Sequence, residues 1–371
     1  MKVLVTGGSG FVGSILCPML AEAGHEVTIL DRMWFGAHTE GARHICYGDI
    51  RNPEHLRKHM QGRDAVIHLA CLSNDESCDA DRQVSEEINF TSFPPMVKLA
   101  KELGVQRFIY ASTSAVYGPS PTPRKETDPL NPMFSYAKWK AACEPILLEQ
   151  ASNDFICTVL RPAALMGYAP RMRLDLAVNI LTNWAVNKGR IEVWGGEQMR
   201  STLHVWDMAR AYLQLLDAPA EQINGEVFNV GGYNYSLSEL GRIIASEFEA
   251  DLEYKAARDD RSYQLDSSKW SSTFEWYPRS FVEFAALEMA DAHRQGRIPE
   301  PFDNSIYYNA KHLASLDLSY TPPKAGEADL LALTTHPIAS RIPGGSAPPP
   351  SDPVEREKWY DRWRQVGGLP R

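Results

Sequence analysis

The stretch that most constrains this chain is KVLVTGGSGFVG, residues 2–13. A short β-branched run breaks at Gly7, Gly10 and Gly13 and continues as an apolar pattern with helical spacing. Each glycine has a physical use at that junction. The first permits a tight turn, the second lets a ligand reach bare backbone, and the third lets helix and strand pack closely. The helix start supplies N–H groups and a positive dipole to an anion. The motif points to a dinucleotide, with an ordinary glycine-rich turn as the plain alternative. Gly7, Gly10, Phe11, Val12 and Gly13 are its cofactor-side residues. Asp31 closes the next strand 18 residues beyond Gly13. A carboxylate there can accept from adenosine-ribose hydroxyls and would repel a 2′-phosphate, which favours NAD over NADP; Arg32 beside it works against that preference.

The same strand–helix alternation repeats through the first 160 residues, with strand patterns at 2–6, 26–30, 65–69, 107–112 and 155–160. Helical patterns run over 12–23, 89–103 and 136–150. Alternation of this kind predicts an α/β fold with a doubly wound parallel Rossmann sheet. A chain of 371 residues exceeds the roughly 250–300 at which one core stops growing, so a smaller C-terminal lobe is expected, interleaved with the sheet. Residues 1–165, with 202–231 returning to them, form the expected NAD-binding unit; residues 166–320 form the substrate lobe. Residues 321–371 hold nine of the 25 prolines and read as an extended tail. A short helix pattern near its end places Trp359 and Trp363 on one face.

A net charge of −9 and a pI near 5.6 exclude nucleic acid as the main partner. No apolar run approaches the roughly 18 residues of a membrane span, and the first residues lack a signal-peptide pattern. The six cysteines are scattered without a paired CxxC spacing, as in a reducing compartment. A cytoplasmic chain with no membrane partner is expected. His55 and His59 lie four apart, but no further ligand follows at a telling spacing, and no metal is expected. Cys71 and Cys78 read as free thiols, and His68 and His204 as structural histidines.

SYAKWK places Tyr136 and Lys140 four apart on one helical face. The lysine's charge could lower the tyrosine pKa and hold a nicotinamide ribose, and a tyrosinate could take a proton from a sugar hydroxyl. Thr113 ends a strand pattern 23 residues upstream, at the sheet edge where ligands of doubly wound folds bind. Together with the glycines and Asp31, this set resembles the extended short-chain dehydrogenase/reductase family, and within it the NAD-dependent nucleotide-sugar epimerases, dehydratases and ketoreductases. GDI with Asp49 and Ile50, VIHLA with Leu69 and Ala70, Asn89 in INFTSF, Pro162 in LRP and Arg200 in RSTLHVWDMARA extend the match over roughly residues 1–315. The resemblance implies NAD in the first lobe, a sugar nucleotide in the second and a homodimer. It makes Thr113, Tyr136 and Lys140 the catalytic set, and adds Asp49, Ile50, Leu69, Ala70, Asn89 and Pro162 to the cofactor site. Arg200 matches an arginine that holds the substrate's pyrophosphate. Arg171, Arg173, Arg258 and Arg261 are further substrate-side candidates, as are Ser73 and Asn74 in the acidic loop SNDESCDAD.

The residues after Thr113 are Ser114 and Ala115. In the resembled family the 4,6-dehydratases carry an Asp–Glu pair there, UDP-glucuronate decarboxylases a glutamate, and GDP-mannose 3,5-epimerases a cysteine. A methyl group neither accepts nor donates a proton, so the expected reaction is removal and return of hydride at one sugar carbon, a 4-epimerisation. NAD(P)H-dependent 4-ketoreduction is the alternative. A reading from another class is a non-catalytic NAD-binding sensor or scaffold.

Overall fold

The structure, a computed structural model, describes residues 1–257 and 261–319. Arg258 and the expected tail helix with Trp359 and Trp363 lie outside the described residues. The chain runs β1 (Lys2–Thr6), α1 (Gly13–Glu22), β2 (Glu26–Asp31), β3 (His44–Tyr47), α2 (Pro53–Met60), β4 (Ala65–His68), α3 (Asp75–Ala80), α4 (Arg82–Glu86), α5 (Phe93–Glu102), β5 (Arg107–Ala111), α6 (Ser135–Leu148) and β6 (Ile156–Pro162). It continues through β7 (Ala164–Met166), α7 (Ala177–Lys188), β8 (Arg190–Trp194), β9 (Met199–His204), α8 (Val205–Asp217), α9 (Ala220–Ile223), β10 (Glu226–Val230), β11 (Asn234–Ser236), α10 (Leu237–Phe248), β12 (Asp251–Lys255), α11 (Ser268–Phe274), α12 (Val282–Arg294) and α13 (Asn309–Leu313).

Seven strands form one sheet in the order β10-β6-β5-β4-β1-β2-β3, with every neighbouring pair parallel. Parallel strands need both faces covered, and their sequences show it: Val3, Leu4 and Val5 are all fully buried. On one face α1 and α8 pack together through an apolar cluster that includes Leu16, Leu20, Met208 and Leu215. On the other, Leu56 of α2, Met96 and Val97 of α5 and Leu147 of α6 join a second cluster. The strand order reverses between β1 and β4. Loops leaving those two strands diverge, which opens a crevice at their carboxyl ends.

Two local differences from the sequence pattern have clear causes. β3 was not expected, because HICY is a short edge strand whose residues are half-exposed or exposed and show no apolar run. The helix expected over 89–103 divides into a π-helical turn at Glu87–Thr91 and then α5. Pro94 and Pro95 fall in the first turn of α5, where their missing N–H groups leave no helical bond unmade.

Beyond β6 the chain builds a third cluster from α7, α10, α12 and β8, with Val178, Leu181, Ile191, Leu240, Ile244 and Ala285 among its members. β7, β9 and β11 form a three-stranded sheet, and β8 pairs with β12. α10 starts with a reciprocal cap between Ser236 and Glu239. After α12 a tight turn (Ser305–Tyr307) and α13 carry the chain back over the large sheet, where Leu313 and Leu318 join the cluster that holds Leu4 and Val66. No helix among the described residues is long and apolar enough to cross a membrane.

Candidate active site

A cavity occupies the crevice beside β1 and β4. Its walls include Gly7, Gly10, Phe11, Val12, Gly13, Asp31, Arg32, Asp49, Ile50, Leu69, Ala70 and Pro162. The glycine loop is bare backbone at close quarters. A Cβ on Gly7, whose φ is +75°, would lie 2.6 Å from the Ala70 nitrogen, and one on Gly13 would lie 2.3 Å from the Gly8 carbonyl oxygen. Asp31 accepts the Ser9 N–H at 3.0 Å and the Met33 N–H at 2.6 Å. Burial pushes its carboxyl pKa up, and those N–H groups act against the rise. Arg51 holds Asp49 through both carboxylate oxygens, at 2.8 and 3.0 Å. These features suit a dinucleotide: an uncluttered turn under a helix start, with a carboxylate at the end of the next strand.

Deeper in, α6 presents Tyr136 and Lys140 one turn apart, both on the cavity wall. The Lys140 ammonium donates to the Ala111 carbonyl at 2.7 Å and lies 5.9 Å from the Tyr136 ring centre. The phenol's pKa is pushed well above its ordinary value by burial first, then by Cys71 and Cys78. The cation that acts against this rise is Arg173, where the sequence had suggested Lys140. Thr113 also differs in detail. β5 stops at Ala111, and Thr113 caps a 3₁₀ turn over Ser114–Tyr117, its Oγ1 accepting the Ala115 N–H at 3.2 Å. Ala111 and Ser112 line the cavity, and Thr113 follows them half-buried. With a lone pair used by Ala115, its hydroxyl proton remains for donation. Behind this edge Ser112 donates to Glu144 at 2.5 Å, and Glu144 takes a forked pair from Arg161 at 2.6 and 3.0 Å. That buried network braces the end of β5 against α6 and β6.

The substrate-side candidates divide into two groups. Ser73, Arg171 and Arg173 line the cavity. Arg173 forks onto Asp175 at 2.9 and 3.0 Å and donates to Ser73 at 3.3 Å. Asn74 sits at φ 83°, ψ 160°, backbone that costs a non-glycine residue about 1–3 kcal/mol. Its side chain caps α3 through the Ser77 N–H at 2.9 Å and donates to Asp175 at 3.2 Å. Arg200 and Arg261 are placed away from the cavity wall. Arg200 donates to the Met199 and Arg261 carbonyls, and Arg261 pairs with Asp75 at 3.4 Å. Asn89, a cofactor-side candidate, stands behind the wall: its amide accepts the Leu72 N–H at 2.9 Å and donates to the Leu72 carbonyl at 3.0 Å.

Several lining residues were not picked out in the sequence: Ser9, Trp34, Phe35, Cys71, Met208, Tyr212, Asn309 and Leu313. Met208 and Tyr212 lie four apart on α8, a spacing visible within RSTLHVWDMARAY. Asn309 and Leu313 lie in a stretch without any motif. The histidines behave as structural groups. His68 shares a 2.7 Å hydrogen bond with Thr6 and is pulled down to about 3 by burial; His204 meets Glu288 at 3.1 Å. Among the described residues no cluster of three metal-ligating side chains is present, and the cysteines are unpaired.

The model of the NAD dependent epimerase/dehydratase family matches residues 3–231. A UDP-glucose 4-epimerase of Lactobacillus helveticus is 26% identical over 307 residues, covering 75% of this chain and 92% of that protein. A dTDP-glucose 4,6-dehydratase of Streptomyces niveus is 26% identical over 325 residues, covering 80% and 94%. Among solved structures, MoeE5 in complex with UDP-glucose and NAD superposes with a TM-score of 0.71 at 26% identity, over 80% of this chain and 99% of that one.

Proposed function

The chain belongs to the NAD dependent epimerase/dehydratase family, and within it we propose an NAD-dependent nucleotide-sugar epimerase that works through a transient keto-sugar at C4. One observation carries the choice of reaction: the turn capped by Thr113 continues with Ser114 and Ala115, so the position where a dehydratase or decarboxylase would carry its acid or base holds a methyl group. Epimerisation needs no group there, because it removes and restores the same atoms. The similar UDP-glucose 4-epimerase and the MoeE5 complex with UDP-glucose and NAD support a nucleotide sugar as substrate.

Bound along the Gly7–Gly13 loop and Asp31, NAD would supply a reversible hydride acceptor for the sugar carbon. The chain's own residues manage the proton and the geometry. Tyr136 takes the proton of the sugar hydroxyl and later returns it. Arg173 and Lys140 supply positive charge near a phenol that burial otherwise keeps protonated. Thr113 donates its free hydroxyl proton to the same sugar oxygen. Holding Tyr136, Lys140 and the sugar in one cavity, with Thr113 next to its Ala111–Ser112 wall, supplies much of the rate. Gly7, Gly10, Phe11, Val12, Gly13, Asp31, Arg32, Asp49, Ile50, Leu69, Ala70 and Pro162 line the cofactor side, with Asn89 fixing Leu72 behind them. Residues 1–165 and 202–231 hold the cofactor, and the interleaved 166–320 the sugar nucleotide, with Ser73 and Asn74 towards the sugar, Arg200 towards its diphosphate and Arg261 on the substrate side.

The test is incubation with UDP-, GDP- and dTDP-hexoses, followed by NMR of the sugar and absorbance of the cofactor. Inversion at one carbon without net change of cofactor is expected. Stoichiometric NADH oxidation by a 4-keto-sugar, with no epimer formed from any hexose, would replace epimerisation by ketoreduction. Release of water or carbon dioxide would refute both.

A further inference from the structure

Arg171 occupies a place that its expected partnership with the sugar does not explain. Its backbone N–H donates to Ser14 Oγ at 3.4 Å, in the first turn of α1. Its guanidinium lies 3.8 Å from the ring centre of Phe35, four residues beyond Asp31. Phe35 and Arg171 itself line the cofactor half of the cavity, as does Gly13 beside Ser14. The residue is only 3% exposed. Nη1 donates to the Met172 carbonyl at 3.2 Å and Nη2 to Asn309 Oδ1 at 2.5 Å, while the buried Nε has no partner.

A guanidinium removed from water is costly unless an anion meets it. Arg173, by contrast, has its carboxylate in Asp175; Arg171 makes no ion pair among the described residues. Burial, and after it the charge of Arg173, pulls Arg171 down to about 9, with the Asp175 and Asp31 carboxylates only partly opposing the fall. The first turn of α1 is also unanswered. Its Ser14, Ile15 and Leu16 N–H groups bond to the Gly10 and Val12 carbonyls, but it has no side-chain cap and no acidic residue, so the positive end of its dipole has no charge of its own turn to answer it. Two positive features of independent origin thus border one space.

We infer that Arg171 binds the diphosphate of NAD together with the first turn of α1, and that Asn309 holds it there so that α13 straps the cofactor in place. Asn309 is equipped for this. Besides accepting from Arg171, it donates its backbone N–H to Asp175 at 3.1 Å and its side-chain amide to Ser73 at 2.8 Å. It therefore joins the cofactor half of the cavity to the Ser73–Arg173–Asp175 cluster near Tyr136. The strap is fastened at two further points: His312 bonds the Trp34 carbonyl at 2.7 Å, and Arg51 donates to the Leu318 carbonyl at 3.1 Å. The inference rests on NAD binding and not on which sugar reaction follows.

The test is calorimetric titration of the full chain, freed of bound nucleotide, with NAD, ADP, adenosine and UDP. Arg171→Met keeps the apolar stem over Phe35 and removes the charge. It is expected to weaken NAD and ADP by roughly ten- to hundredfold, the range for a hydrogen bond to a charged group, while adenosine and UDP bind as to the parent. Asn309→Ala leaves the guanidinium present but unanchored, and is expected to weaken NAD and ADP by a smaller factor with the same selectivity and to speed NAD release in a dilution assay. Equal losses for adenosine and ADP would reduce Arg171 to packing and overturn the inference. So would a loss of UDP in place of ADP, which would assign Arg171 to the substrate's diphosphate. Should Arg171→Met fail to fold, unchanged NAD and ADP affinity in Asn309→Ala would overturn it alone.

Discussion

Two glycines in one loop are expected to fail in different ways when a methyl group is added. In Gly13→Ala the new carbon would lie 2.3 Å from the Gly8 carbonyl oxygen and 2.5 Å from the Gly8 carbonyl carbon and Cα. All three are backbone atoms, so no side chain can turn aside. Relief requires the start of α1 to move off the loop by about half an ångström or more, an overpacking that costs about 1–3 kcal/mol. Gly13 is the first residue of α1, so the helix propensity regained from alanine is a small fraction of the roughly 1 kcal/mol seen in helix interiors. A net loss of ~2 kcal/mol lowers the melting temperature by about 2–4 °C in a chain of this length, whose unfolding entropy is larger than that of smaller domains. In Gly10→Ala the methyl would meet only the Gly7 carbonyl oxygen, at 3.1 Å. That contact relaxes with a shift of a few tenths of an ångström, so the fold should melt within about 1 °C of the parent, as for a surface substitution. The Gly10 methyl instead stands on the cavity wall, on the line where a diphosphate must approach backbone. Thermal unfolding without nucleotide, paired with NAD titration, separates the two. Gly13→Ala should lose stability and affinity together; Gly10→Ala should lose at least tenfold in NAD affinity, about 1.4 kcal/mol, at nearly constant stability. Normal NAD binding by Gly10→Ala would refute the placement of the diphosphate along this loop. Normal melting of Gly13→Ala would refute the close α1–loop packing.

Tyr136→Phe should retain NAD affinity within about twofold while turnover falls by about 10²–10⁴, the usual contribution of a positioned acid–base group; near-parent turnover would transfer the proton to another residue. Arg173→Met removes the cation that opposes the raised phenol, so the basic-going rise in kcat/KM should move to higher pH by about one unit, and an unmoved profile would show that Arg173 does not act on Tyr136. NAD should bind more tightly than NADP because the Asp31 carboxylate meets any 2′-phosphate; equal affinities in calorimetry would point to Arg32 as the compensating charge. His68, pulled from 6.5 to about 3 by burial, takes up its proton readily only when unfolded. The stability it allows is therefore complete above pH 6.5 and falls by about 1.4 kcal/mol per unit as the pH drops from 6.5 towards 3. Urea titrations of His68→Phe should show a shallower acid loss than the parent, and parallel curves would remove His68 as the cause.

What could be read in advance depended on whether a residue's role is set by its neighbours in sequence. Gly7 and Gly13 announce themselves because the turn, the strand and the helix they serve are all within a dozen residues. Tyr136 and Lys140 are legible for the same reason, since one turn of helix fixes their common face. The capping role of Thr113 escaped, because strand end and 3₁₀ turn differ only in where the β5 ladder stops pairing with β6. Asn89 is readable as a cofactor-side residue but not as one standing behind the wall: its amide reaches Leu72, 17 residues away, and only the fold brings them together. The opposing cation at Tyr136 was beyond reach altogether. Arg173 comes from a loop 37 residues later, and its position is set by Asp175 and Ser73. Asn309 had no signal, since its three partners, Arg171, Asp175 and Ser73, are all more than 130 residues distant in the chain.

That distant contact bears on the reaction as much as on the fold. A reductase must exchange its spent cofactor after every turnover, so a strap that slowed release would slow the cycle. An epimerase gives back the hydride it takes and gains by never opening. It gains a second time because the keto-sugar must stay beside the reduced cofactor until hydride returns. The strap over Trp34, Phe35 and Arg51 belongs with Ala115 in this respect. In the proposed reaction the alanine would offer a keto-sugar no group by which to lose water or carbon dioxide, and a cofactor held under the strap would give it no time in which to leave. On this reasoning NAD release should be slower than sugar turnover by a wide margin in the parent, and Asn309→Ala should narrow that margin by accelerating release alone. A parent chain that releases cofactor once per sugar turned over would argue for the reductase, whatever residue follows Ser114.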